Sequence, residues 1–234
     1  EKQVRRLRTP RIVQPEVVKK AILNTDQPYR TILQIMYQSL MGLAEFIQFN
    51  ESGWTEIKDR LDEEGPVKVT LVRVKTLSDK EPKPYYTFLS EESKKAIKDW
   101  VVVRTQLCGP MSEGPIFVTM RKNDGRYVGP SDNSIQHHLI LGMKKSGIVP
   151  ISQRGSYDLH PHELRDIARS LATLAGVNQV AAEWFMGHSI DESEYDKSPF
   201  MDVEFFRNEY RKLEPHLSVY GSSALTEDAR TRLI

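Results

Sequence analysis

Apolar side chains recur at three- and four-residue steps through much of this chain. Ile32, Ile35, Met36, Leu40, Leu43, Phe46 and Ile47 form such a stripe over 31–49, which predicts one continuous helix buried on one face. A short helix over 16–23, opened by Pro15, precedes it. The period then changes. Val67, Val69 and Leu71 alternate with Lys68 and Thr70 as in a half-buried strand, and Arg73 and Lys75 continue the parity of the apolar face. A polar, Pro-containing stretch over 76–84 separates this strand from Tyr85, Tyr86, Thr87, Phe88 and Leu89, which predicts a two-stranded antiparallel ribbon with Lys75 at its tip.

Ser90 followed by Glu91 and Glu92 marks a helix start, with Ala96, Ile97, Trp100 and Val101 on its apolar side and an end near Arg104. Residues 109–129 read as loop around Ile116, Phe117 and Val118. Ser131 and Asp132 then open a helix with Ile135, Leu139 and Met143 inward. Leu164, Ile167, Ala168, Leu171 and Ala175 give a further helix capped by Gly176. Another carries Val180, Ala181 and Trp184 inward and stops at Gly187. Val203, Phe206, Tyr210, Leu213 and Leu217 form a last stripe. The expectation is a mainly α fold with a small antiparallel β-sheet.

Composition narrows the class. The 234 residues lie between one large domain and two ordinary ones of ~100–200 residues. With 39% hydrophobic and 28% charged residues, the chain is neither disordered nor fibrous. Cys108 stands alone, which excludes an internal disulfide and a cysteine-based zinc site and suits a reducing compartment. No apolar run approaches the ~20 residues that span a bilayer, so the expectation is a soluble protein of the cytoplasm or nucleus, with no membrane partner. The net charge of +1 gives no support to nucleic-acid binding, yet it is unevenly spread. Lys2, Arg5, Arg6, Arg8 and Arg11 against Glu1 make a basic arm ahead of a slightly acidic body, readable as a linker, a solvated tail or a DNA-contacting arm.

The segment His160-Pro161-His162-Glu163-Leu164-Arg165-Asp166 carries the most chemistry. His162 and Arg165, three apart, share a helical face distinct from the apolar one. Alone, the pair reads better as an exposed pair or as an ion pair to Glu or Asp. It has company, however: Gly187-His188 follows 23 residues after Arg165, and Tyr195 comes soon after.

This set resembles the signature of the tyrosine recombinases, the phage integrase family, and is similar to that of some archaeal integrases. Val74-Lys75-Thr76 resembles the family's hairpin lysine, and Trp54-Thr55-Glu56-Ile57 the tryptophan segment that leads into its sheet. The likeness covers roughly residues 10–215 and is most specific from His162 to Tyr195. It implies a catalytic domain over 13–217, a basic linker or arm over 1–12, a C-terminal tail over 218–234, and a catalytic fragment of a longer protein.

There are two departures. The family's first catalytic arginine precedes an acidic residue by three. Here Met41-Gly42-Leu43-Ala44-Glu45 matches with Glu45 as the acid, so Gly42 stands at the arginine position. Within the helix expected there, glycine costs ~1 kcal/mol relative to alanine. This suggests either a substitution that disables the protein or a diverged member. The second departure is spacing: Tyr195 lies seven residues after His188, closer than in many members, and among acidic neighbours. Tyr210 is a rival nucleophile but falls on a core stripe.

The resemblance implies a site-specific recombinase or integrase acting on double-stranded DNA, with neither metal nor nucleotide. Tyr195 would attack phosphorus to form a 3′-phosphotyrosine, His162 accept its proton, Arg165 grip the phosphate, Lys75 protonate the leaving 5′ oxygen, and His188 add a hydrogen bond. It also implies a homotetrameric synapse on DNA, with a monomer possible in its absence. A type IB topoisomerase and a catalytically inactive DNA-binding member are the alternatives. His137 and His138 lack a third metal ligand and read as surface or core residues.

Overall fold

The computed structural model describes residues 13–73, 83–121, 124–154, 159–188 and 198–221. Helix α1 (Pro15–Leu23) begins on its proline, and α2 (Tyr29–Ser39) follows. Helix α2 is the central element, buried at every position but Arg30 and packed against α1 before it and against helices that follow it in sequence.

The single helix expected over 31–49 is two helices. Leu40 adopts a left-handed conformation (φ 60°, ψ 20°), and Gly42 is extended and N-caps α3 (Leu43–Ser52). Tertiary donors take the carbonyls that a continuing helix would use. The Tyr210 hydroxyl donates to the Gln38 carbonyl at 2.8 Å, and Thr87 Oγ1 donates to the Ser39 carbonyl at 2.6 Å. Periodicity does not reveal this because Leu40, Met41 and Phe46, on both sides of the break, are fully buried. Gly42 therefore does not interrupt a helix, and the helix-interior penalty that made it an odd choice does not apply, since glycine is well tolerated as an N-cap.

Helix α4 (Trp54–Ile57) leads into the ribbon. Its Glu56 carboxylate accepts from the Thr70 amide and the Thr70 hydroxyl, each at 2.8 Å. Strands β1 (Val67–Val72) and β2 (Pro84–Leu89) pair antiparallel with Leu71 opposite Tyr85. Val67, Val69 and Leu71 point inward, as their alternation requires. Lys75 lies outside the described residues.

Ser90 caps α5 (Glu91–Cys108) by accepting from the Ser93 amide at 3.0 Å. The helix runs past the expected end at Arg104, whose Nε donates to the Pro115 carbonyl at 3.0 Å and ties the last turn to the loop beyond. The stretch read as loop holds a second ribbon, β3 (Thr119–Met120) with β4 (Tyr127–Val128), too short to show alternation. Helices α6 (Asp132–Lys145), α7 (Pro161–Leu174), α8 (Gln179–Phe185), α9 (Ser198–Met201) and α10 (Val203–Leu217) complete the order. Val180, expected inward, is 40% exposed because it sits on the outer side of the short α8. On α6, His138 stacks on Tyr29 with ring centroids 3.5 Å apart and bonds the Ser134 carbonyl through Nδ1. It is a packing residue.

The fold is mainly helical with a small antiparallel sheet, as expected. Its core gathers Phe88, Phe185, Phe206 and Tyr210 in tilted and edge-on ring contacts 5.5–6.3 Å apart, clamping the ribbon between α8 and α10.

Candidate active site

Helix α7 brings Arg165 to the centre of the molecule. The residue is only 9% exposed. Its Nη2 donates to the Met186 carbonyl, and its Nη1 lies 4.0 Å from Glu45 Oε2. Its Nε is buried and has no hydrogen-bond partner among the described residues. A Cβ added to Gly42 would stand 2.5 Å from Glu45 Oε2 and 3.1 Å from Arg165 Nη1. Position 42, matched to the missing arginine from sequence, thus borders the Arg165 guanidinium directly.

Arg165 and His162 do not present their heads side by side. Arg165 turns inward, while the His162 side chain is 68% exposed with Nε2 3.5 Å from Asp166 Oδ2. The His160 ring stacks on it at 6.4 Å. A three-residue step rotates the chain by less than a full turn, and at the edge of the apolar stripe that difference separates buried from exposed.

The turn after α8 brings His188 and Arg165 to neighbouring points of backbone. Gly187 adopts φ 67°, and the ring of Tyr85 fills the space where its Cβ would be, 2.8 Å away. Only glycine suits both constraints. The Met186 carbonyl, one residue earlier, receives Arg165, and His188, one residue later, places Nδ1 2.7 Å from Glu183 Oε2. A carboxylate only accepts, so Nδ1 carries the proton, and the His188 side chain is half exposed.

Glu183 was not singled out from sequence. It accepts from Arg169 Nε at 2.7 Å as well as from His188. Burial pushes the Glu183 carboxyl up, but the hydrogen bonds and charges of His188 and Arg169 outweigh it and hold the group below its ordinary value. The folded value lies below the unfolded one, so the stabilisation is present above the ordinary 4.5 and is lost as pH falls through the folded value. Glu183→Gln is expected to lower stability near neutral pH by about 1 kcal/mol, discounted for partial exposure. The deficit should shrink in urea melts carried well into acid. A deficit that is the same at both pH values would rule out the ionised carboxylate as its source.

Tyr195 lies outside the described residues. Its rival Tyr210 is fully buried, and burial first of all holds its hydroxyl well above the ordinary tyrosine range. It is a core residue. Among the described residues, no group of three or more His, Cys, Asp and Glu could hold a metal ion, and no helix is long and apolar enough to cross a membrane.

No protein-family profile and no curated protein matches the sequence. Among solved structures, the chain is similar to one described as "Crystal structure of XerA recombinase", with a TM-score of 0.51 and 17% identity, covering 84% of this chain and 64% of that one. The fold is that of a tyrosine recombinase. This chain spans less than two thirds of that recombinase's length. Within this recombinase fold Arg165, Gly42, Glu45 and the Gly187-His188 turn lie together, and His162 stands at the surface one turn away.

Proposed function

We propose that this chain breaks and rejoins strands of double-stranded DNA as a tyrosine-recombinase catalytic domain over residues 13–217, with 1–12 as a DNA-following arm and 218–234 as a tail. Arg165 carries the reading. A guanidinium nine-tenths buried, with one carboxylate at 4.0 Å, one carbonyl on Nη2 and Nε unpartnered among the described residues, is poorly compensated by its own protein and suited to an incoming anion.

In this reading Tyr195 attacks phosphorus. The Tyr195 O–P bond forms while the bond to the 5′ oxygen breaks. A phenol of pKa ~10 is protonated at neutral pH, so a base must take its proton, and His162 is that base. Arg165 stabilises the charge that builds on the nonbridging oxygens. Lys75 returns a proton to the 5′ oxygen, and His188, its ring held through Nδ1 by Glu183, adds a hydrogen bond to the phosphate. The working assembly is a homotetramer on DNA in the cytoplasm or nucleus, of the short-spaced archaeal type. Gly42 slows the reaction by removing one phosphate donor.

Gly42 also favours a second reading, a DNA-binding protein that keeps the fold without the chemistry. A nicked duplex whose cleaved end diffuses away separates the two. The expected result is a denaturant-resistant adduct that Tyr195→Phe abolishes. Salt-sensitive binding with no adduct would overturn the catalytic reading in favour of the second.

A further inference from the structure

Two polar atoms of the ribbon that packs against the turn receiving Arg165 are buried and without a partner among the described residues. In β1 and β2, Leu71 pairs with Tyr85, and the ladder continues one step further because the Arg73 amide donates to the Lys83 carbonyl at 2.8 Å. Residues two apart on a strand share a face, as do directly paired ones, so Leu71, Arg73 and Tyr85 project from the same side of the ribbon. That side faces the core. Tyr85 is 1% exposed, and its ring lies under Gly187, in the turn that receives Arg165. Among the described residues the Tyr85 hydroxyl has no hydrogen-bond partner, and neither does Arg73 Nε.

Leaving a buried donor unmade costs ~1–3 kcal/mol, so three in one place demand a reason. We propose that Arg73, the Tyr85 hydroxyl and Arg165 form one anion pocket, in which Arg73 is a second guanidinium for the DNA phosphate that Arg165 holds. The electrostatics agree. Burial, then the Glu45 carboxylate, hold the Tyr85 hydroxyl far above its ordinary range, while Arg165 and Arg73 oppose them. The phenol thus stays protonated and can donate, and both guanidiniums and Glu45 lie within electrostatic reach of it. Two cations against one carboxylate leave a single positive charge, which one phosphodiester balances.

The inference rests on the strand-cleavage reading for the identity of the anion, but its test does not require cleavage. In ¹⁵N-labelled protein, the Nε protons of Arg73 and Arg165 report directly on the pocket. Titration with inorganic phosphate is expected to shift both along one saturating curve, and a short duplex at low salt should shift the same pair. Arg73→Gln should weaken phosphate at least tenfold as read at Arg165, and Arg73→Lys, which keeps the charge but not the fork, should weaken it less. Unchanged phosphate affinity at Arg165 in both variants would overturn the proposal, as would a shift of Arg165 alone. A response to free phosphate but not to the duplex would overturn DNA phosphate as the ligand. Failure of the cleavage reading shows separately, as no Tyr195 adduct in the nicked-duplex experiment.

Discussion

Gly42→Arg is expected to raise the rate of covalent adduct formation on nicked DNA by on the order of 100- to 1000-fold, the usual worth of one preorganised donor to a developing oxyanion. The backbone accepts the change. At φ −75° and ψ 177° position 42 is ordinary extended chain, and it N-caps α3 without a side-chain cap bond to lose. The close neighbours of a new Cβ are Glu45 Oε2 at 2.5 Å and Arg165 Nη1 at 3.1 Å, both far ends of flexible side chains. Glu45 can swing to pair with the new guanidinium, which would relieve Arg165 of its 4.0 Å carboxylate neighbour and leave it freer for phosphate. Gly42→Ala separates crowding from charge, since it meets the same atoms and adds no donor. If Gly42→Arg gains nothing over Gly42→Ala, position 42 is not where the missing arginine belongs.

Gln38→Leu should lower the free energy of unfolding by about 3–4 kcal/mol, the range in which a buried polar network is broken. Gln38 is 1% exposed and joins three helices. Its Oε1 accepts from Ser90 Oγ at 2.9 Å and Ser93 Oγ at 2.5 Å, and its Nε2 donates to the Leu217 carbonyl at 3.2 Å and to Glu92. Glu92 in turn accepts from the Val219 amide at 2.9 Å and the Ser218 hydroxyl at 3.1 Å. Leucine fills a similar volume but leaves the protons of two hydroxyls, the Gln34 amide and a carbonyl without their Gln38 partner inside the core. Urea unfolding with an unchanged slope would measure the loss. A loss below about 1 kcal/mol would show that the network is replaced by other partners or by water.

What the sequence made legible was what local pattern encodes. The alternation of Val67, Val69 and Leu71 located the ribbon, and the Ile167, Ala168 and Leu171 stripe located the helix that carries Arg165. The Gly187-His188 pair marked a turn whose left-handed glycine the structure contains. The illegible parts depend on residues distant in sequence. The break at Leu40 follows from hydroxyls of Thr87 and Tyr210, and Arg165 meets Glu45 from a helix far along the chain. Hydrophobic periodicity cannot distinguish one helix from two when both bury the same stripe. Arg73 was half visible: its inward parity could be read from the strand, but not that its Nε is buried without a partner among the described residues.

The bond from Gln38 to Leu217 spans 179 residues of sequence. Contacts that distant are the slowest to close, because the entropy of bringing the ends together must be met before the contact can repay it. During synthesis, Gln38 and the bend after it are made early and wait for α10 to arrive. The corner that sets Gly42 against Arg165 is therefore fixed only once α10 has arrived, and a chain still on the ribosome holds these residues without their geometry.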